Sequence, residues 1–249
     1  MADLSLDPET RRVGTTLLAG ALELRSRGVK AIVCLLVVFF ALFPFAGDVF
    51  RVIAQPIMDA LPQGSSLISR QVASPFLTPM KATFWVALFI SMPLLLYHVW
   101  KLVDTWLPRE HRRIALPFVF ASAVLFYVGV AFAFFFVLPM AFSFFANAAP
   151  AGVKVMTDIP ACLDFTIGMS LAFGLAFQVP IVIIVIVWTG LVSRQALQQA
   201  RPYVFLGAFV LGMLLTPPDV FSQTLLALPM YALYEAALLF CWRFLPERK

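Results

Sequence analysis

The chain has 249 residues, of which 62% are hydrophobic and only 12% charged, and its formal net charge is +5; mean hydropathy is +0.94. A soluble domain carries about half apolar and a quarter charged residues, so this chain has more apolar surface than one water-soluble core can bury. That excludes a soluble enzyme, a disordered chain and a disulfide-stapled secreted scaffold, and leaves a lipid-facing protein.

A spanning helix needs about 20 mainly apolar residues. Ahead of the first such segment, Thr15 to Arg27 reads as an amphipathic helix at the membrane interface, with Leu17, Leu18 and Leu22 on its apolar side. Arg11-Arg12 resembles a twin-arginine signal, yet charges return at Glu23, Arg25 and Arg27 and no small-residue cleavage site follows. The predicted spans cover 29–45, 76–103 with Pro93 inside, 114–138, 165–188, 203–216 and 220–242. The fifth covers about 21 Å against a hydrocarbon core of roughly 30 Å. Pro217-Pro218 ends it, so the last two spans form a short hairpin that needs local bilayer thinning or a partner to cover the mismatch. The outer segments 47–75 and 139–164 are long for connectors and predict local structure, such as a short interfacial helix from Asp48 to Leu61. With no repeat and no low-complexity tract, residues 1–249 read as a single polytopic membrane domain, an all-α protein of six transmembrane helices.

Orientation follows from the basic residues. Fourteen of the 18 Lys and Arg fall on the side of the two termini, while Arg51, Arg70, Lys81 and Lys154 fall on the other. The positive-inside rule places the N-terminus and C-terminus in the cytoplasm.

Enzyme chemistry finds no residues to carry it. The two histidines, His98 and His111, form no H-E-x-x-H, no serine sits in G-x-S-x-G, and there is no P-loop. Cys34, Cys162 and Cys241 are odd in number and lie in separate apolar regions, which suits small apolar residues rather than a disulfide framework or zinc site. No catalytic residue, cofactor, metal or nucleic-acid partner is expected.

Polar groups inside spans are functional candidates. Gln178 lies near the middle of the fourth span, and its amide either makes an interhelical hydrogen bond or lines a hydrated groove. Glu235 in the sixth span either reaches the cytoplasmic interface or faces a wet concavity. Thr216, Ser222 and Gln223 cluster at the outer end of the hairpin, with Asp219 as an N-cap, and either glue the two helices or offer a docking spot for another membrane helix. On the cytoplasmic side, Glu23 stands with Arg25 and Arg27, and Glu110 with Arg109, Arg112 and Arg113. Such runs set topology, but two carboxylates among cations also suit a ligand carrying two guanidinium groups.

These residues converge on a family. Ala73-Ser74-Pro75-Phe76 with Lys81, Glu23-Leu24-Arg25-x-Arg27, Ser91-x-Pro93 with Tyr97 and Trp100, Leu125-Phe126-Tyr127, Phe173-Gly174, and Met213-Leu214-Leu215-Thr216-Pro217-Pro218-Asp219 with Ser222-Gln223, Leu228-Pro229 and Tyr234-Glu235 run in order from about Thr16 to Phe240. The sequence resembles TatC, the twin-arginine protein translocase receptor. The resemblance implies a cup of six helices in the bacterial cytoplasmic membrane, with the last two short. It implies a subunit that binds the Arg-Arg signal peptides of folded precursors and exports them on the protonmotive force. TatA-like and TatB-like single-span proteins would act with it in a multi-copy complex surrounded by membrane lipid. By the same resemblance Glu23, Arg25, Arg27 and Glu110 would bind the signal peptide, Gln178 and Glu235 would be polar groups of the concave face, and Met213, Thr216 and Gln223 would contact a partner helix. Three departures stand out: His111 occupies the family's loop-glutamate position, with Glu110 one residue earlier; Gln178 replaces an acid with an amide that cannot titrate; and Gly20 stands at the place of the family's usual histidine, with Gly28 replacing an apolar residue.

Two other readings compete with the receptor. Six spans and Gln178 would suit a small-solute secondary transporter, although the two three-span halves are dissimilar. A membrane scaffold with no substrate of its own is the third.

Overall fold

The computed structural model describes the backbone of residues 8–60, 66–68, 73–106, 115–147, 156–215 and 220–244, and side chains over 25–55, 73–101, 116–145, 158–214, 220 and 223–244. Helix α1 (Pro8–Leu42) is continuous. Pro8 opens it, and the next proline is Pro44, so nothing between them removes a helical N–H. The amphipathic helix expected over Thr15 to Arg27 is therefore the first part of α1 and not a separate element. A 3₁₀ turn at Phe43–Phe45 leads into α2 (Ala46–Ala60), a helix within the first long outer segment.

Helix α3 (Ser74–Trp106) carries Pro79 and Pro93 without breaking. Helix α4 (Ala115–Phe132) passes through a π turn at Ala133–Val137 into α5 (Leu138–Asn147). The π turn precedes Pro139, which has no N–H for the Phe135 carbonyl. The rod thus runs well past residue 138, where the hydrophobic pattern had placed its end. The predicted fourth span is two helices, α6 (Ile159–Ala176) and α7 (Val179–Trp188), and not the single rod expected over 165–188. The break at Phe177 and Gln178 falls where Pro180 cannot donate to the Ala176 carbonyl.

At the end of α7, Gly190 takes φ +75°, and Leu191 N–H reaches back to the Ile186 carbonyl at 3.1 Å. Only glycine adopts this left-handed cap at no steric cost. Ser193 then caps α8 (Arg194–Gln199) by accepting from Ala196 N–H at 3.1 Å. Helices α9 (Arg201–Leu215) and α10 (Val220–Phe244) complete the fold. One short parallel ladder pairs Ser66–Ile68 with Met156–Asp158, in the register Ser66 to Met156. It ties the segment after α2 to the segment before α6, and among the described residues every other element is helical.

The helices pack in a chain of neighbours. α3 lies against α1, α2 and α4; α4 lies against α6; and α10 lies against both α7 and α9. Among the described residues five helical stretches are long and apolar enough to cross a membrane, and Arg201–Leu214 is a shorter apolar helix. α1 exposes Ile32, Val37 and Phe40, a surface suited to lipid. The centre of the bundle is the α4–α6 crossing, where Phe126 and Phe173 are fully buried. A Cβ on Gly129 would stand 2.6 Å from the Phe173 carbonyl oxygen, and one on Gly174 would stand 2.6 Å from the Phe126 ring. The two glycines let these backbones approach, as small residues do between membrane helices. Toward the end of the bundle where α3 and α6 begin, Lys81 on α3 forms an ion pair with Asp164 on α6.

Candidate functional site

A groove of about 500 Å³ opens between α3, α4 and α7. Its walls are apolar, from Met92, Leu95 and Val99 on one side to Ile181, Val182 and Val185 on the other. Four polar side chains line it: Thr189 bonds back to the Val185 carbonyl of its own helix at 2.8 Å, and Ser122 ties Trp100 and Gln178 together. Ser122, almost fully buried on α4, accepts a hydrogen bond at its hydroxyl from Trp100 Nε1 at 2.8 Å. Its carbonyl accepts from Gln178 Nε2 at 2.9 Å. Gln178 reaches Ser122 because the helix breaks under it: its own N–H bonds to Leu175 and its carbonyl accepts from Val182 N–H. Of the two readings left open by the sequence, the interhelical hydrogen bond is the one present, and the same side chain also lines the groove.

Glu235 sits elsewhere. It does not line the groove. Its Oε2 accepts from Arg201 Nη2 at 2.8 Å, and its Oε1 accepts from Tyr231 Oη at 2.8 Å. A carboxylate so engaged clamps the start of α9 to α10. Tyr234 adds a bond to the Leu197 carbonyl and holds α8 to the same helix. Sequence reading counted Arg201 only as a topogenic cation. The signal for its partner was the hairpin register: Arg201 lies 15 residues before Thr216 and Glu235 lies 16 residues after Asp219. Ser122 carried no comparable signal, because a serine in an apolar helix is common.

Gln223 faces inward, donating from Nε2 to the Phe209 carbonyl at 2.8 Å, and Gly212 leaves room for it: a Cβ there would be 3.1 Å from its Cγ. Met213 is exposed on α9. Thr216, Asp219, Glu110 and His111 lie outside the described residues. Glu23 is part of α1, with its side chain outside the described set. Arg25 is exposed and Arg27 half-buried on the same helix.

Among the described residues no group of three or more His, Cys, Asp or Glu could hold a metal. The groove is a mainly apolar surface crossed by hydrogen bonds from Trp100 and Gln178 to Ser122. The class is a multi-pass membrane protein with a binding face built between helices.

Comparison with known proteins makes the class specific. Residues 21–229 match the family described as Sec-independent protein translocase protein (TatC). The chain is 48% identical over 224 residues to the Sec-independent protein translocase protein TatC of Escherichia coli (strain K12), covering 90% of this chain and 87% of that protein. It is 47% identical over 223 residues to the TatC of Haemophilus influenzae, with coverage of 90% and 87%. A crystal structure of the twin arginine translocase receptor TatC superposes with a TM-score of 0.79 at 31% identity, covering 88% of this chain and 96% of that one. A second, in DDM, gives 0.80 at 29% identity, with 89% and 98% covered. The chain belongs to the TatC family. It is a receptor and translocase subunit of the twin-arginine system and not an enzyme, and it is a multi-pass protein of the bacterial inner membrane. The solute-transporter reading finds no support in any of these similarities.

Proposed function

We propose that the chain binds Arg-Arg signal peptides of folded precursors at the membrane boundary where α1 begins its apolar stretch, and that the groove takes the apolar part of the same peptide. Glu23 and Glu110 supply the carboxylates, with Arg25 and Arg27 framing them, on the cytoplasmic side that also holds both termini. Two guanidinium–carboxylate contacts at a half-wet boundary contribute roughly 1.5–3 kcal/mol each. The observation that carries the reading is the groove itself. Trp100 Nε1 and Gln178 Nε2 are both engaged at Ser122, so an apolar segment meets a wall whose buried N–H donors already have partners.

Partner proteins extend this reading. Single-span TatA-like and TatB-like proteins dock at the outer end of the α9–α10 hairpin, at Met213, Thr216 and Gln223. The hairpin is short for a bilayer, and a partner helix there covers the mismatch. The working unit is a multi-copy complex driven by the protonmotive force, and residues 1–249 act within it as one membrane domain.

Site-specific photocrosslinking tests the recognition site. Probes at Glu23 and at Glu110 are expected to form adducts with a precursor carrying Arg-Arg and to lose them when the pair is Lys-Lys. Equal adducts with both precursors, or none from either position, would remove these residues from the site.

A further inference from the structure

Helices α1 and α3 pack side by side. The apolar stretch of α1 starts at Arg25 and that of α3 ends at Lys101, so one membrane boundary receives basic residues from both. Arg27 and Lys30 come from α1, and His98 and Lys101 from α3. The positive charges of Arg27, Lys30 and Lys101 all act on the His98 ring, and among the described residues no carboxylate does. His98 Nδ1 is buried without a hydrogen-bond partner. Its ring lies 5.7 Å from that of Tyr97, over which Lys101 Nζ stands at 5.6 Å.

Toward the bilayer centre the chemistry changes within one turn. Lys30, Val33 and Val37 follow one face of α1, and Lys101, His98 and Leu94 follow one face of α3. Val33, Val37 and Leu94 are all exposed. The surface is therefore cationic at the boundary and apolar below it, between two antiparallel helices.

We infer that Lys30, His98 and Lys101, with Arg27 beside them, form a binding site for the phosphate of an anionic phospholipid, whose acyl chains lie along Val33, Val37 and Leu94. Like charges gathered at the edge of a low-dielectric layer repel one another, and an anion at their centre reverses the sign of that interaction. Lysine ammonium groups give the phosphate point charges, and the N–H of the His98 imidazole adds a directed donor. Basic pockets between spanning helices take anionic headgroups for these reasons. The apolar wall is what selects a lipid over a free phosphate, which would make no use of it. The site shares Arg27 with the proposed signal-peptide site, so of its residues the test varies only Lys30, His98 and Lys101, none of which signal-peptide recognition uses.

The test uses the full chain purified in a neutral detergent, with native mass spectrometry reading retained lipid. The wild type is expected to retain phosphatidylglycerol in clear preference to phosphatidylcholine. Lys30→Gln alone lowers that preference about fivefold, and Lys30→Gln/His98→Gln/Lys101→Gln about a hundredfold. Arg51→Gln, at the other end of the span, leaves it unchanged. Lys30 is exposed on α1, so the single variant reports on the site even where the triple variant fails to fold. Equal retention of the two lipids by the wild type, or undiminished preference in Lys30→Gln, overturns the site. Displacement of phosphatidylglycerol by millimolar inorganic phosphate overturns the lipid assignment in favour of a general anion site.

Discussion

Tyr127 on α4 donates its hydroxyl to the Phe89 carbonyl on α3 at 3.0 Å. That carbonyl is the one Pro93 leaves without its helical donor, because proline has no N–H to offer four residues on. A break in the ladder of one membrane helix is thus filled by a side chain of its neighbour. In lipid the carbonyl has no water to turn to, so the tyrosine both repairs α3 and fixes its position against α4.

Loss of the hydroxyl should therefore depend on the proline. Tyr127→Phe is expected to lower stability by about 1 kcal/mol, read as a reduced thermal midpoint of the purified protein. In a Pro93→Ala background the helix supplies its own donor, and the same change should cost much less. Equal losses in the two backgrounds would show that Tyr127 acts through packing alone.

The groove makes a second asymmetry measurable. Ser122→Ala strands the Trp100 indole N–H in apolar surroundings, which costs about 1–3 kcal/mol. Gln178→Leu removes a donor whose acceptor, the Ser122 carbonyl, lies within α4, and should cost less, near 1 kcal/mol. Position 178 also bears on energy coupling. An amide does not titrate in the physiological range, so the pH profile of precursor export should keep its shape in Gln178→Leu even where its amplitude falls. A shifted profile would give the groove a role in proton movement that its side chains do not predict.

What the sequence revealed follows from what each signal is made of. Hydrophobic stretches located the helices because burial in lipid is a property of composition over about 20 residues. They misplaced the ends, since α3, α5 and α6 extend into segments read as loops, and the apolar signal fades before the helix does. Pro180 was legible as a residue, but the break it makes beneath Gln178 depended on where the Ala176 carbonyl would fall. The order of short motifs from Glu23 to Tyr234-Glu235 identified the family. Pairings between distant helices, such as Trp100 with Ser122 or Lys81 with Asp164, left no local mark. They arise from the way α3, α4 and α6 cross. Glu235 shows the limit most clearly: a carboxylate in an apolar span reads as functional, and its engagement with Arg201 and Tyr231 becomes visible only once α9 lies against α10.

The α4–α6 crossing permits a graded test of how tightly the bundle is built. Gly129 and Gly174 each leave space for a phenylalanine of the facing helix, but the neighbours differ in kind. At Gly129 an added methyl meets the Phe173 carbonyl oxygen at 2.6 Å, and backbone in a helix cannot yield locally. At Gly174 it meets the Phe126 ring, also at 2.6 Å, and a ring can be replaced. Overpacking of this kind costs about 1–3 kcal/mol. Gly129→Ala is expected at the upper end of that range, and no single side-chain change should restore it. Gly174→Ala should be relieved by Phe126→Leu, with the double variant melting above the glycine variant alone. Thermal midpoints of the four proteins decide the matter. If Phe126→Leu and Gly174→Ala simply add, the contact between ring and glycine does not set the approach of the two helices, and the crossing must be held instead by the apolar packing around Phe132 and Phe177.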